Sequence, residues 1–234
     1  MLSIIIPVYN ERKTISIIID KILKIKNLKK QIIIVDDGST DGTTLILKKI
    51  SKKKVDKIIY SKINFGKGHA IKMAQPYVKG EFVIIQDADL EYSPKDFEKI
   101  INILKKNNKA VYGSRVLNTA RYSYNNFTSN MRVFANHMLT IVSNLINKQS
   151  LTDAHTCYKA FNSNVFKKIR LLENGFSFCP EITTKISKLK INIIEVKISY
   201  NGRTYKQGKK ISLIDGFVAI KTLIKYRYFS WFFI

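Results

Sequence analysis

Two carboxylates one residue apart, Asp87 and Asp89, close the apolar run Glu81-Phe82-Val83-Ile84-Ile85. A buried strand that ends this way sets both acids at the carboxyl edge of a sheet, where open α/β sheets bind ligands. Ala88 between them is small and lets the backbone lie close to a ligand. Two hard oxygen donors suit Mg²⁺ or Mn²⁺, which shares its shell between one or two carboxylates and substrate phosphates. Glu91 stands two residues beyond Asp89, and an extended segment directs it to the same side as a third donor. Upstream, Gly66-Lys67-Gly68 opens a helix and offers backbone N–H groups and a cation to phosphate, without the full P-loop pattern. An Asp-x-Asp pair alone is a common turn feature, so the surrounding elements must establish its meaning.

Those elements alternate. Leu2 to Val8 reads as a buried strand, followed by a helix with Ile15, Ile18, Ile19, Ile22 and Leu23 at helical spacing. Gln31-Ile32-Ile33-Ile34-Val35 is a second buried strand, halted by Asp36-Asp37-Gly38-Ser39-Thr40-Asp41-Gly42. A helix from Thr43 to Ile50, a short strand Ile58-Ile59-Tyr60 and a helix from Gly66 to about Val78 precede the acidic strand. Pro94 starts a further helix to Lys106, and Ala110-Val111-Tyr112-Gly113 forms a fifth strand. Strands and helices in this alternation predict an α/β fold, a Rossmann-like, mostly parallel sheet covered by helices on both faces. The expected organisation is a single domain over 1–234, with a nucleotide-binding half to about 115 and a second half beyond it.

The formal net charge is +24, from 41 Lys and Arg against 17 Asp and Glu. That balance suits an anionic partner: a nucleic acid, an anionic bilayer or a phosphorylated substrate. Nucleic acid is disfavoured, because helix-turn-helix, zinc and RNP signatures are all missing. Two cysteines, Cys157 and Cys179, make no disulfide framework and point to a reducing, cytoplasmic compartment. The chain enters a strand at once, without a basic leader, so a signal peptide is not expected. No stretch reaches the roughly 18–20 apolar residues of a spanning helix.

In order along the chain stand Pro7-Val8-Tyr9-Asn10-Glu11, Asp36-Asp37-Gly38-Ser39, Asn64-x-Gly66-Lys67-Gly68, Asp87-Ala88-Asp89 and Gly113-Ser114-Arg115. Together they resemble the GT-A glycosyltransferases of family 2, and more narrowly the dolichyl- or polyprenyl-phosphate mannose synthases. Thr152-Asp153, Cys157 to Phe161, Pro180-Glu181 and Arg203-Thr204-Tyr205…Gly208-Lys209-Lys210 suit the same branch. The resemblance implies that Pro7, Tyr9, Glu11, Val35, Asp37, Lys67, Asp87, Ala88 and Asp89 hold a nucleotide-sugar donor. It implies Mg²⁺ or Mn²⁺ on Asp87, Asp89 and Glu91, although several relatives have Gln where Glu91 stands. Asp89, Arg115 and Arg203 are the expected catalytic residues.

Arg115, Arg132, Arg203 and Lys209 are the expected grip on an acceptor phosphate, since guanidinium matches phosphate oxygens in a fork. A polyprenyl-phosphate monoester is mostly ionised at neutral pH and needs no protein base, so single displacement with inversion follows. A sugar-hydroxyl acceptor would instead require a carboxylate base, with Asp153 and Glu181 as candidates; His155 is read as structural. Two amphipathic segments suggest a membrane surface, with a membrane protein as a possible further partner. One runs from Arg132 to Lys148 with Phe134, Met138, Ile141 and Leu145 in a stripe. The other runs from Ser212 to Lys225 with Leu213, Phe217, Ile220 and Ile224, before an aromatic, basic tail.

Overall fold

The computed structural model describes all residues except 51–52, 107–108, 119–126, 203–212 and 230–234; the side chains at 127–130, 132 and 213–214 are likewise outside the description. The first half follows the expected alternation: β1 (Leu2–Val8), α1 (Ile15–Leu23), β2 (Lys30–Asp36), α2 (Thr43–Lys49), β3 (Lys57–Tyr60), α3 (Lys67–Ala74) and β4 (Phe82–Ile85). α3 is shorter than its apolar spacing predicts. Pro76 lacks the N–H that a continuing helix needs, and the chain tightens into a 3-10 turn over Gln75–Tyr77. α4 (Phe97–Lys105) and β5 (Ala110–Ser114) complete the half, and α4 buries Phe97, Ile100, Ile101 and Leu104.

The second half adds α5 (Phe127–Asn147), β6 (Lys159–Asn162), α6 (Ser163–Lys168), α7 (Phe178–Lys188), β7 (Ile193–Lys197) and α8 (Leu213–Tyr228). β6 and β7 have no counterpart in the sequence expectation, because each is short and carries charge. β6 begins at Lys159, whose ammonium is fully buried. It donates to the Ala154 carbonyl at 2.7 Å and lies 3.9 Å over the Tyr112 ring. With those partners a lysine can sit in a central strand.

The seven strands form one sheet in the order β3-β2-β1-β4-β6-β5-β7. β1 pairs in parallel with β2 and β4, β2 with β3, and β5 with β7. β6 runs antiparallel to both β4 and β5. Progress from β1 to β3 runs one way across the sheet, and the step from β3 to β4 runs back. Right-handed crossovers therefore put α1 and α2 on one face and α3 on the other. The order reverses between β1 and β4, which opens a crevice at their carboxyl ends. The antiparallel β6 also begins at that edge, where β5 and β7 end. Residues just after β1, β2, β4, β5 and β7, and just before β6, thus meet there.

Candidate active site

A cleft of about 360 Å³ opens at this edge. Of the expected donor residues, Pro7, Tyr9, Glu11, Asp37, Lys67, Asp87, Ala88 and Asp89 line it. Glu91 and Arg115 line it too. Val35 does not: it is fully buried in β2, paired beside Pro7, so it has no side-chain surface to offer a ligand. Arg203 and Lys209 lie outside the described residues, and Arg132 is placed on α5, one turn before Asn136, without its side chain.

One wall of the cleft is built by side chains that hold loops. Asp36 accepts from the Ser39 N–H at 3.1 Å, which fixes the turn after β2. Asp37 reaches across to the loop before α3. Its Oδ2 accepts from the N–H groups of Phe65 and Gly66 at 3.1 and 2.6 Å, and its Oδ1 lies 3.3 Å from His69 Nδ1. Asp37 is therefore first the anchor of the loop before α3. Gly66 has φ +105°, a backbone that L side chains rarely adopt. A Cβ on Gly68 would come 2.3 Å from the Glu173 carbonyl oxygen, and the His69 N–H donates to Asn174 at 2.9 Å. Gly68→Ala should consequently destabilise the fold by about 1–3 kcal/mol, the usual cost of overpacking. Urea unfolding checks this, with an unchanged midpoint as the contrary result.

Asp87 and Asp89 stand at the end of β4 as expected, but the chain beyond them is not extended. Leu90 has φ 65°, a left-handed conformation uncommon for a bulky residue. The Glu91 N–H donates back to Asp89 Oδ1 at 3.1 Å, closing a tight turn. Glu91 then accepts from the Tyr200 hydroxyl at 2.8 Å, and its carbonyl accepts from the Asn201 N–H at 2.9 Å. Among the described residues no three His, Cys, Asp or Glu side chains converge as a metal cage. Asp87 and Asp89 face the cleft as a pair, and Glu91, which lines it too, also fastens the segment after β7. The pair fits a hard divalent cation: two carboxylates face the cleft, and Asp87 already compensates a positive charge. That charge is the Lys67 ammonium, 2.5 Å from Asp87 Oδ1.

Opposite this pair, Arg115 follows β5. Its Nε and a terminal nitrogen donate to the two oxygens of Asp153 at 2.6 and 2.8 Å. Asn136 of α5 donates to the same carboxylate at 3.3 Å. Glu195 on β7 accepts from the N–H groups of Thr152 and Asp153 at 2.6 and 2.9 Å, holding the loop. Burial alone would raise the Asp153 carboxyl, but the adjacent Arg115 guanidinium more than offsets it and holds the pKa at about 2. The Tyr200 ring lies 5.2 Å under the guanidinium. Arg115 is therefore presented rigidly to the cleft. Asp153, a candidate base in the sequence reading, is instead its fixed counter-ion. Glu181, the other candidate, is fully buried; it accepts from two backbone N–H groups and from Lys185, and it does not line the cleft.

His155 does line the cleft. Burial and the Lys159 charge hold its pKa down at about 4, so the ring is neutral near pH 7. Its Nε2 is buried without a hydrogen-bond partner among the described residues. Tyr92, Cys157, Phe176, Cys179 and Tyr200 also line the cleft. None was singled out as a site residue from the sequence. Only Cys157 fell inside a family motif, and Tyr200 depends on a strand that the sequence does not announce.

Away from the cleft, α5 is inside out. Met131, Phe134, Met138, Ile141 and Leu145 recur at three- and four-residue steps and are exposed, Leu145 at 76%. The inward face carries Thr140, Ser143 and Asn147, all buried. α8 packs on α5 and α7 and exposes Phe217, Val218, Ile224 and Tyr228, with Phe229 exposed just beyond its end. Tyr226, read as part of an interfacial tail, is instead buried; its hydroxyl donates to Glu173 at 2.8 Å. No helix among the described residues is long and apolar enough to cross a membrane.

Residues 3–170 match the family model described as Glycosyl transferase family 2. A dolichyl-phosphate beta-glucosyltransferase of Trichomonas vaginalis is 30% identical over 218 residues, covering 86% of this chain and 65% of that protein. The dolichyl-phosphate beta-glucosyltransferase of Saccharomyces cerevisiae is 30% identical over 249 residues, covering 95% of this chain and 73% of that protein. The chain thus spans about two thirds to three quarters of the length of these two relatives. Among solved structures, glucosyl-3-phosphoglycerate synthase of Mycobacterium tuberculosis with Mn²⁺ and uridine-diphosphate-glucose superposes with a TM-score of 0.72. It is 15% identical, with 97% of this chain and 79% of that chain covered, which establishes a shared fold.

Proposed function

The chain belongs to glycosyl transferase family 2, and from that premise we propose that it moves a hexosyl group from a nucleoside diphosphate sugar to the phosphate of a polyprenyl phosphate. The observation that carries this reading is the meeting of Asp87, Asp89, Lys67 and Arg115 on one cleft at the switch point of the sheet. Anionic groups of a diphosphate and of a second phosphate need that mixture of charges. The named activities of the Trichomonas and yeast relatives support a lipid-phosphate acceptor and glucose as the sugar. The Mn²⁺ and uridine-diphosphate-glucose complex of the structural neighbour supports a uridine nucleotide and a divalent cation.

Each side of the cleft has its own task. Pro7, Tyr9 and Glu11 line the part reached by the nucleotide, while Asp37 keeps the Phe65–Gly66 backbone in place beside it. Asp87 and Asp89 would hold Mg²⁺ or Mn²⁺, and the bound ion would neutralise charge on the departing nucleoside diphosphate. Arg115, locked by Asp153, orients the acceptor phosphate without the entropy cost of a freely turning side chain. The phosphate oxygen is already ionised and attacks without a protein base, so the anomeric centre inverts. Support for this over a hydroxyl acceptor comes from Asp153 and Glu181, the two candidate bases, both being committed to structural partners. Incubation with radiolabelled uridine-diphosphate-glucose, Mn²⁺ and a short polyprenyl phosphate tests the reading. Label in the organic phase is expected; label only in water-soluble products would contradict it.

Such an acceptor lives in a bilayer, and the α5–α8 face is our candidate for peripheral contact with the cytoplasmic leaflet. Its exposed aliphatic and aromatic side chains adjoin Lys221, Lys225 and Arg227, a pairing suited to anionic lipid. Each large apolar side chain buried on docking contributes about 1.5–3 kcal/mol. The double variant Leu145→Glu/Phe217→Glu should lower binding to phosphatidylserine-containing vesicles by at least about tenfold. Flotation measures it, and equal recovery of variant and parent would remove the assignment.

A further inference from the structure

Lys67 sits where a phosphate-binding lysine has no obvious reason to rest. Its Nζ lies 2.5 Å from Asp87 Oδ1 and 3.3 Å from Cys157 Sγ, and only 15% of the side chain is exposed. The carboxylate of Asp87 supplies the compensating charge, and the Cys157 sulfur is a further contact of the ammonium. The ammonium is thus parked on one of the two carboxylates that a divalent cation needs.

We propose that Lys67 is an internal counter-ion that competes with the divalent cation for Asp87 and releases it when the donor diphosphate enters the cleft. The inference rests on the metal-and-diphosphate reading above. An ammonium and a divalent ion sharing one carboxylate at contact distance repel one another in a cleft of reduced dielectric, which weakens the binding of each. Without nucleotide the tethered ammonium has the advantage of high effective concentration. A diphosphate changes the balance by bringing oxygens enough for both cations. The backbone leaves only the side chain to move. Gly66 and Gly68 abut the carbonyls of Asn174 and Glu173, and the His69 N–H is bonded to Asn174, so the start of α3 is pinned. Exchange is then a change of Lys67 rotamer toward the entering phosphates. Metal and nucleotide must bind with mutual reinforcement, each raising the affinity of the other by the same factor.

The test is a Mn²⁺ titration of the full chain, read by the electron paramagnetic resonance of free Mn²⁺, with and without uridine diphosphate. Lys67→Met is the main variant and Lys67→Gln a second neutral one; Lys67→Arg keeps the charge. Both neutral variants should bind Mn²⁺ alone at least about tenfold more tightly than the parent, a modest value for a close charge pair. They should bind uridine diphosphate in the presence of Mn²⁺ more weakly, with the mutual reinforcement reduced. Lys67→Arg should stay near the parent. A residue that only supports the fold would not shift the two ligands in opposite directions. Unchanged or weaker Mn²⁺ binding in the folded neutral variants overturns the proposal alone. Failure of every form to bind Mn²⁺ even with uridine diphosphate overturns the metal reading, and the proposal with it.

Discussion

Asp89→Ala is expected to lower the turnover of glycosyl transfer by about 10³-fold or more, the scale of losing a group that stabilises charge in a transition state. That loss corresponds to about 4 kcal/mol of barrier. Asp89 faces the cleft, accepts from the Glu91 N–H within the Leu90 turn, and is not part of the core. Its removal should therefore spare the fold. Turnover of labelled donor, measured beside the urea midpoint, separates the two effects. Full activity in a normally folded variant would remove the carboxylate pair from the mechanism. Asp89→Glu keeps the charge with a longer reach, and should recover only part of the loss.

The second large effect is on stability. Asp153→Ala strips the counter-ion from Arg115, whose side chain is only 19% exposed, and also loosens the tie from Asn136 on α5. Breaking a buried ion pair on one side costs about 3–5 kcal/mol. The pH dependence gives an independent reading. The Asp153 carboxyl is held at about 2 against an ordinary 3.8, so the folded state favours the ionised form. Its contribution is fully present above about pH 4 and is lost as pH falls from there through about 2, worth about 2 kcal/mol. Urea midpoints taken between pH 5 and pH 2 should fall less steeply in Asp153→Asn than in the parent. Parallel curves would mean that the Arg115 pair does not contribute.

Much of the donor half was legible in the sequence, and the reasons are physical. Buried parallel strands are continuous apolar runs, and Leu2 to Val8, Gln31 to Val35 and Phe82 to Ile85 have no competing period. The loops after them carry polar residues that line the cleft, so Tyr9, Asp37, Asp87 and Asp89 stood out by type and place. Val35 differs from them in having its side chain buried, since a strand residue next to a cleft loop is still inside the sheet. Glu91 lines the cleft as well, but it is brought there by the left-handed turn at Leu90 and not by the extended segment that alternation predicts. β6 and β7 were hidden because Lys159 and Glu195 break their apolar runs. Each charge has a partner that sequence spacing cannot show: the Ala154 carbonyl for Lys159, the Thr152 and Asp153 amides for Glu195.

α5 marks the limit of pattern reading. The spacing of Phe134, Met138, Ile141 and Leu145 is the same whether the stripe faces a core or the outside. What orients the helix is its polar face. Asn136 bonds to Asp153, Asn144 exchanges hydrogen bonds with the backbone of Leu151, and the Thr140 hydroxyl accepts from the Ala154 N–H. These contacts fasten α5 to the loop that fixes Arg115 and leave the apolar stripe outward. The helix that we assign to lipid is thereby attached to the residue that we assign to the acceptor phosphate.

The most direct measurement is the structure of the lipid product formed from uridine-diphosphate-α-glucose and a short polyprenyl phosphate, read by proton and phosphorus magnetic resonance. The account predicts a single glucosyl phosphodiester with the β configuration at the anomeric carbon. An α-linked product, or glucose joined to a hydroxyl while the polyprenyl phosphate stays unmodified, would contradict it.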